Sequence, residues 1–267
     1  MVHSAAPKHH KELFPAGADG RRIAHVANPL ECKLEVETLV EALERWNRDD
    51  GDYVDFLDYK NQSNPVSWKE AWAGACRYAN YLRNRGLKKG GKVVLLLATG
   101  KEFLFAMHGT QLAGGVPVPC SPPHTLGELD KYLRNLKHIV RNCEAEFFVT
   151  DARFKMAIGS VLGDKNSLRH LLLTEDVVDE PAKNKGFPSI SGTDPALIQY
   201  TSGTTTLPKG VVLSHRNLLS NCYGIGVALE RRPDDVALER RPDDVALGWL
   251  PLFHDMGLIG VLFTSLL

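Results

Sequence analysis

The eleven residues Tyr200-Thr-Ser-Gly-Thr-Thr-Thr-Leu-Pro-Lys-Gly210 constrain this chain more than any other stretch. They lie between two apolar runs, PALIQ at Pro195–Gln199 and VVLS at Val211–Ser214, both strand-like in composition. A strand–loop–strand unit is expected, with hydroxyls gathered in the loop. Thr201, Ser202, Thr204, Thr205 and Thr206 surround Gly203, and Lys209 stands between Pro208 and Gly210. Glycine lets the backbone turn its N–H groups toward one point, which makes a concavity for an anion. The hydroxyls add donors for that anion's oxygens, and Lys209 adds a charged one. The loop is not a Walker A sequence, which needs Gly before its Lys and Ser or Thr after it. The plainer alternative is a merely polar loop, but few such loops carry this Gly, Pro-Lys-Gly framework between apolar strands.

The rest of the chain alternates strand and helix signals. Helical spacing runs through Leu34, Val36, Leu39, Val40, Leu43 and Trp46, so a helix is expected over 33–46. Tyr53–Tyr59 alternates loosely, as a strand would. Ser67 with Glu70 forms a capping-box pattern for a helix that Gly86 stops. Trp68 and Trp72 fall on the buried face of that helix, where a core role outweighs a ligand platform. Strands are expected at Lys92–Leu97, Gly115–Cys120, Ala145–Thr150 and Leu171–Leu173, with helices over 102–113 and 129–140 between them. Such alternation means βαβ units: an α/β fold, a mainly parallel sheet flanked by helices.

Composition narrows the function. Lys plus Arg and Asp plus Glu number 32 each, so the formal net charge is zero. That balance argues against a nucleic-acid binder, which needs a basic face. Five cysteines without a CxxC pair indicate neither a zinc site nor a disulfide framework, and read as reduced, mostly buried thiols of a cytoplasmic protein. The start of the chain has no apolar segment of signal-peptide type. Its longest uncharged apolar stretch, Met256–Leu267, is too short for a bilayer, which takes about 20 residues. No membrane span is expected. That stretch also lacks helix stop signals, which reads as a chain cut inside a domain. Residues 1–32 read as a poorly ordered polar leader. Ala228–Val236 and Ala237–Val245 repeat ALERRPDDV perfectly, which reads as a local duplication or a sequence error, its extra copy in solvent.

A second block, Gly248-Trp-Leu-Pro-Leu-Phe-His-Asp-Met-Gly-Leu-Ile-Gly260, stands beside the loop as a signature. TSGTTTLPKGVVLSH resembles the T-S-G-[ST]-T-G-x-P-K-G loop of the adenylate-forming superfamily. WLPLFHDMGLIG and DPALIQYTSGTT resemble the fatty acyl-AMP ligase branch, and the likeness runs from about Leu39 to the chain end. The resemblance makes 33–267 a partial, truncated adenylation N-terminal domain. It implies a carboxylate attacking the α-phosphate of ATP, brought with Mg²⁺, to give an acyl-adenylate and pyrophosphate. The acyl group then passes to an acyl-carrier protein or a polyketide or peptide synthase module. A long-chain fatty acid is the implied substrate, an acyl-CoA synthetase or a non-catalytic remnant the alternative. The resemblance places Thr201, Ser202, Gly203, Thr204, Thr205 and Lys209 on the β- and γ-phosphates, where they neutralise charge on the leaving pyrophosphate. It places His254 near the reacting carboxylate. Asp255 is positioned in sequence to orient that imidazole, though neighbours along a chain need not face each other. His215 reads as structural or as a helix N-terminal residue.

Two departures stand out. Thr206 occupies the position where the pattern has Gly. The adenine and Mg²⁺ block, the ribose Asp and the catalytic Lys of such enzymes have no counterpart before Leu267. The chain by itself is therefore expected to be incompetent in adenylation.

Overall fold

The computed structural model describes residues 34–123, 129–155, 159, 167–201, 207–228 and 246–267. They belong to one compact unit, Leu34–Leu267. Cys32, the leader and nearly all of the ALERRPDDV repeat lie outside the described residues.

The elements follow one another as α1 (Leu39–Arg45), β1 (Asp52–Asp55), β2 (Pro65–Ser67), α2 (Trp68–Asn84), β3 (Lys92–Leu96), α3 (Lys101–Leu112), β4 (Val116–Pro119) and α4 (Leu129–Asn142). Then come β5 (Phe147–Thr150), α5 (Ala152–Lys155), β6 (His170–Leu173), β7 (Pro195–Tyr200), β8 (Gly210–Ser214) and α6 (His215–Ala228). The chain closes on a π-helix, Met256–Phe263, and a last turn of α-helix, Thr264–Leu266.

Four strands form a parallel sheet in the order β4-β3-β5-β6. Continuous apolar strands arise because both faces of this sheet are covered. On β3, Val93 and Leu95, with Leu97 just after it, enter one core while Val94 and Leu96 enter the other. On β5, Phe147 and Val149 face the first core and Phe148 the second. That alternation is the pleat, with both sides dry.

The first core holds α2 against α3. A Cβ on Gly74 would strike the Phe105 ring, and one on Gly109 would strike Tyr78 Cβ and the Ala75 carbonyl. The two helices therefore approach with backbone contact distances that only glycine allows. Ser67 caps α2, its hydroxyl accepting from the Glu70 N–H at 3.1 Å, and Gly86 ends the segment at φ +94°. Trp68 is buried at the head of α2, and Trp72 packs half-buried against the same core.

Local chemistry shortens two expected elements. The first helix begins at Leu39, because the Thr38 hydroxyl accepts from the Glu41 N–H and fixes the start there. The strand expected to reach Tyr59 ends at Asp55. Asp55 accepts from the Asn64 N–H, and Asp58 from the Lys60 and Gln62 N–H groups, which folds 56–64 into a turn. The apolar end of the chain is helical as its composition suggests, but π-helical in its first eight residues.

Candidate functional site

β7 and β8 pair antiparallel, with Tyr200 opposite Gly210, so the strands flanking the hydroxyl-rich segment form the arms of a hairpin. Thr201 closes its neck. The Thr201 N–H donates to the Lys209 carbonyl at 3.0 Å, and the Lys209 N–H donates to Thr201 Oγ1 at 3.2 Å. A hydroxyl that accepts one such bond still carries its own hydrogen, so Thr201 can donate to an anion while it holds the neck. The Lys209 side chain is exposed. Ser202, Gly203, Thr204 and Thr205 lie outside the described residues, as does Thr206.

Sequence reasoning missed the support beneath this loop. The Tyr200 hydroxyl donates to Asn142 Oδ1 at 2.6 Å, and His138 Nε2 lies 3.0 Å from the Pro208 carbonyl. Both partners sit on α4, so that helix holds both arms of the hairpin. Burial, and then the nearby thiols of Cys143 and Cys120, push the Tyr200 phenol above its ordinary range, which keeps it a donor. Its ring explains Gly210: a Cβ there would lie 2.9 Å from Tyr200 Cζ. No signal in the sequence joins α4 to a loop some sixty residues downstream.

The second block forms a tight turn followed by the π-helix. The His254 N–H donates to the Pro251 carbonyl at 3.1 Å, and the Leu258 N–H to the His254 carbonyl at 2.9 Å. Gly257 packs against the backbone, where a Cβ would lie 2.8 Å from the Leu250 carbonyl. Two bonds tie the turn to the segment after β3 and to β7. The Leu252 N–H donates to Thr99 Oγ1 at 3.0 Å, and Gln199 Nε2 donates to the Phe253 carbonyl at 3.2 Å. Thr99 follows β3, and Gln199 is the penultimate residue of β7. The turn therefore sits at the carboxyl ends of these strands, where open α/β sheets bind ligands. The histidine block, separate in sequence, is bonded to β7 at Gln199, two residues before the loop neck.

His254 and Asp255 do face each other. His254 Nδ1 lies 2.6 Å from Asp255 Oδ1, and the same oxygen accepts from the Met256 N–H at 2.8 Å, heading the π-helix. The Met256 N–H also reaches His254 Nδ1, at 3.4 Å, so imidazole, carboxylate and the head of the π-helix are drawn together. Both side chains are more than half exposed, at 63% and 62%, so a ligand can reach them. π-helical turns recur at functional sites.

His215 is structural. It opens α6, and its Nδ1 accepts from the Leu39 N–H at 3.2 Å. Burial lowers it to about 4, so it stays neutral. Cys76, Cys120, Cys143 and Cys222 are free and buried, and burial pushes every one of these thiols up. Among the described residues no group of three His, Cys, Asp or Glu is placed to hold a metal ion, and no helix is long and apolar enough to cross a membrane.

Tyr200 and Pro208, on either side of the hydroxyl-rich segment, are held by α4, and Gln199 of β7 bonds to the histidine turn. A family model described as AMP-binding enzyme matches residues 43–267. The chain belongs to that family. An acyl-CoA synthetase by name from Caulobacter vibrioides is 33% identical over 182 residues, covering 68% of this chain and 30% of that protein. The medium-chain-fatty-acid–[acyl-carrier-protein] ligase JamA of Moorena producens is 28% identical over 211 residues, covering 78% and 34%. A structure from work on fatty acyl-adenylate ligases of E. coli and L. pneumophila superposes with a TM-score of 0.76 at 29% identity, covering 87% of this chain and 40% of that one. The chain thus spans about a third of the length of the curated relatives it matches.

Proposed function

We propose that this family member serves the ATP-dependent activation of a long-chain fatty acid as its acyl-adenylate. The observation that carries the reading is the bond between Gln199 and Phe253, which sets the hairpin loop and the His254 turn on one strand end. In that reading a carboxylate oxygen bonds to the α-phosphorus, the bond from α-phosphorus to the bridging oxygen breaks, and pyrophosphate leaves. Thr201, Ser202, Gly203, Thr204, Thr205 and Lys209 hold the β- and γ-phosphates and stabilise the charge that develops there. His254, held at Nδ1 by Asp255, lies beside the reacting carboxylate. The loop's hydroxyls and ammonium suit phosphate oxygens rather than a cation, so Mg²⁺ would arrive on the triphosphate and screen its charge.

Residues 33–267 would form the phosphate-gripping part of an adenylation domain. We propose that this part binds ATP without turning it over alone, and that the protein is cytoplasmic. The acceptor favoured is an acyl-carrier protein or a polyketide or peptide synthase module, as the name of the Moorena relative suggests. Coenzyme A is the second reading, favoured by the name of the Caulobacter relative.

Calorimetric titration of the chain with Mg-ATP tests the grip. Binding that falls at least tenfold in Lys209→Ala, with the melting temperature unchanged, is expected. Absence of binding, or binding indifferent to Lys209, would sink the reading. An ATP–pyrophosphate exchange assay with long-chain fatty acids checks the second part: robust exchange by the 267-residue chain overturns the expected incompetence.

A further inference from the structure

Gln199 has a chemical orientation that the structure fixes. Its amide faces the Phe253 carbonyl at 3.2 Å, and only Nε2 can donate to a carbonyl, so Oε1 points elsewhere. Oε1 is buried, and among the described residues it has no hydrogen-bond partner. Strand alternation sends the Gln199 side chain away from that of Tyr200, whose hydroxyl grips Asn142 on α4. Neighbouring residues of β7 thus hold different parts of the site. Tyr200 holds the loop stem, and Gln199 holds the histidine turn.

The peptide units before His254 are held from the turn after β3 and from β7. Thr99 takes the Leu252 N–H, Gln199 takes the Phe253 carbonyl, and the His254 N–H closes the turn on Pro251. We propose that Gln199 is a positioning residue for His254, fixing the turn that carries the imidazole to the end of β7, two residues before the loop neck at Thr201. The inference deepens the proposed function, since His254 matters to the chemistry only under that reading. Gln199 itself touches no reacting atom. Its bond is directional, so a side chain of equal size without a donor leaves the turn free to shift.

Gln199→Met keeps the length and removes the donor. It also removes the unpartnered buried Oε1, so folding stability is expected to change little, with the melting temperature moving less than about 4 °C. Gln199→Glu keeps the polarity but places a carboxylate against the Phe253 carbonyl. The full chain and both variants are compared by NMR, with the His254 signals identified by their loss in His254→Gln. In each variant the His254 imidazole resonances are expected to move while those of His108 and His215 stay in place. Amide hydrogen exchange at Leu252 and His254 is expected to quicken about fivefold, the equivalent of about 1 kcal/mol. Unmoved His254 resonances and unchanged exchange would overturn the inference. So would full retention in Gln199→Glu, which would mean that polarity alone suffices. Neither readout requires nucleotide. A chain that fails to bind ATP therefore removes the functional reading, while these measurements still decide the positioning role.

Discussion

The Tyr200 hydroxyl donates to Asn142 at 2.6 Å, fastening the last residue before the hydroxyl loop to the end of α4. One neutral hydrogen bond contributes about 1 kcal/mol. Tyr200→Phe keeps the ring over Gly210 and removes the hydroxyl that makes that bond and reaches the Cys143 thiol. Affinity for inorganic pyrophosphate is expected to fall several-fold by calorimetry, with a melting temperature lowered by roughly 2–4 °C. An unchanged affinity would show that the stem is held well enough without the Asn142 bond.

Gly210 faces the same ring. A methyl group there would sit 2.9 Å from Tyr200 Cζ and 3.1 Å from Ile198 Cγ2, so either the ring or the strand must yield. The ring is anchored at its hydroxyl, so the strand is the softer partner. Gly210→Ala is expected to cost about 1–3 kcal/mol in overpacking and to weaken ATP binding more than Tyr200→Phe does. The double variant is the sharper check. Removing the anchor should let the ring swing, so the losses should be smaller than additive.

Thr206 makes a prediction from sequence alone. If the loop needs a positive φ at this position, a β-branched residue costs about 1–3 kcal/mol there. Thr206→Gly is then expected to tighten ATP binding, and an unchanged or weaker affinity would count against a strained loop.

The parallel sheet was legible because β3 and β5 are apolar without a break, which only a strand covered on both faces tolerates. The cap at Ser67 and the stop at Gly86 were legible because each is a local event. The hairpin loop and His254 stood out as motifs. Their joining was not legible. Gln199 bonds to Phe253 across 54 positions, and Tyr200 to Asn142 across 58, and neither residue type announces such a partner. Thr99 was passed over for the same reason: it belongs to an ordinary strand-to-helix turn until Leu252 is placed beside it. The π-helical pitch of 256–263 also left no mark, because its apolar content suits either helix.

Gly109 bears on folding rather than on the site. Alanine ordinarily gains up to about 1 kcal/mol over glycine inside a helix. Here the added Cβ would lie 2.7 Å from the Ala75 carbonyl and would also meet Tyr78 Cβ. Backbone of α2 cannot step aside as a side-chain tip can. Gly109→Ala is expected to destabilise by about 1–3 kcal/mol net, read as a lower urea midpoint with an unchanged slope. A midpoint that rises would show that the two helices can separate cheaply.

Two buried histidines set the response to acid. His108 lies in the first core with its Nε2 3.4 Å from the Tyr53 hydroxyl and its ring against Phe263, and burial lowers it to about 4. His215, also lowered to about 4 by burial, uses the lone pair of Nδ1 to accept the Leu39 N–H, a bond that protonation abolishes. In the unfolded chain a histidine titrates near 6.5. Below that pH the unfolded chain takes up protons that the folded chain refuses. Stability is therefore fully present above about pH 6.5, is lost as pH falls, and levels off below about pH 4. Each pH unit within that window is worth about 1.4 kcal/mol per histidine, so pH 5 should cost roughly 2 kcal/mol for each. Asp194, held low chiefly by its bond from Lys89, adds a loss only at more acidic pH. Urea midpoints measured from pH 7 down to about pH 5 should show this slope. In His215→Gln the side-chain oxygen can still accept from Leu39, and the slope should fall by about half. A slope equal to that of the unaltered chain would mean that His215 is already charged in the fold.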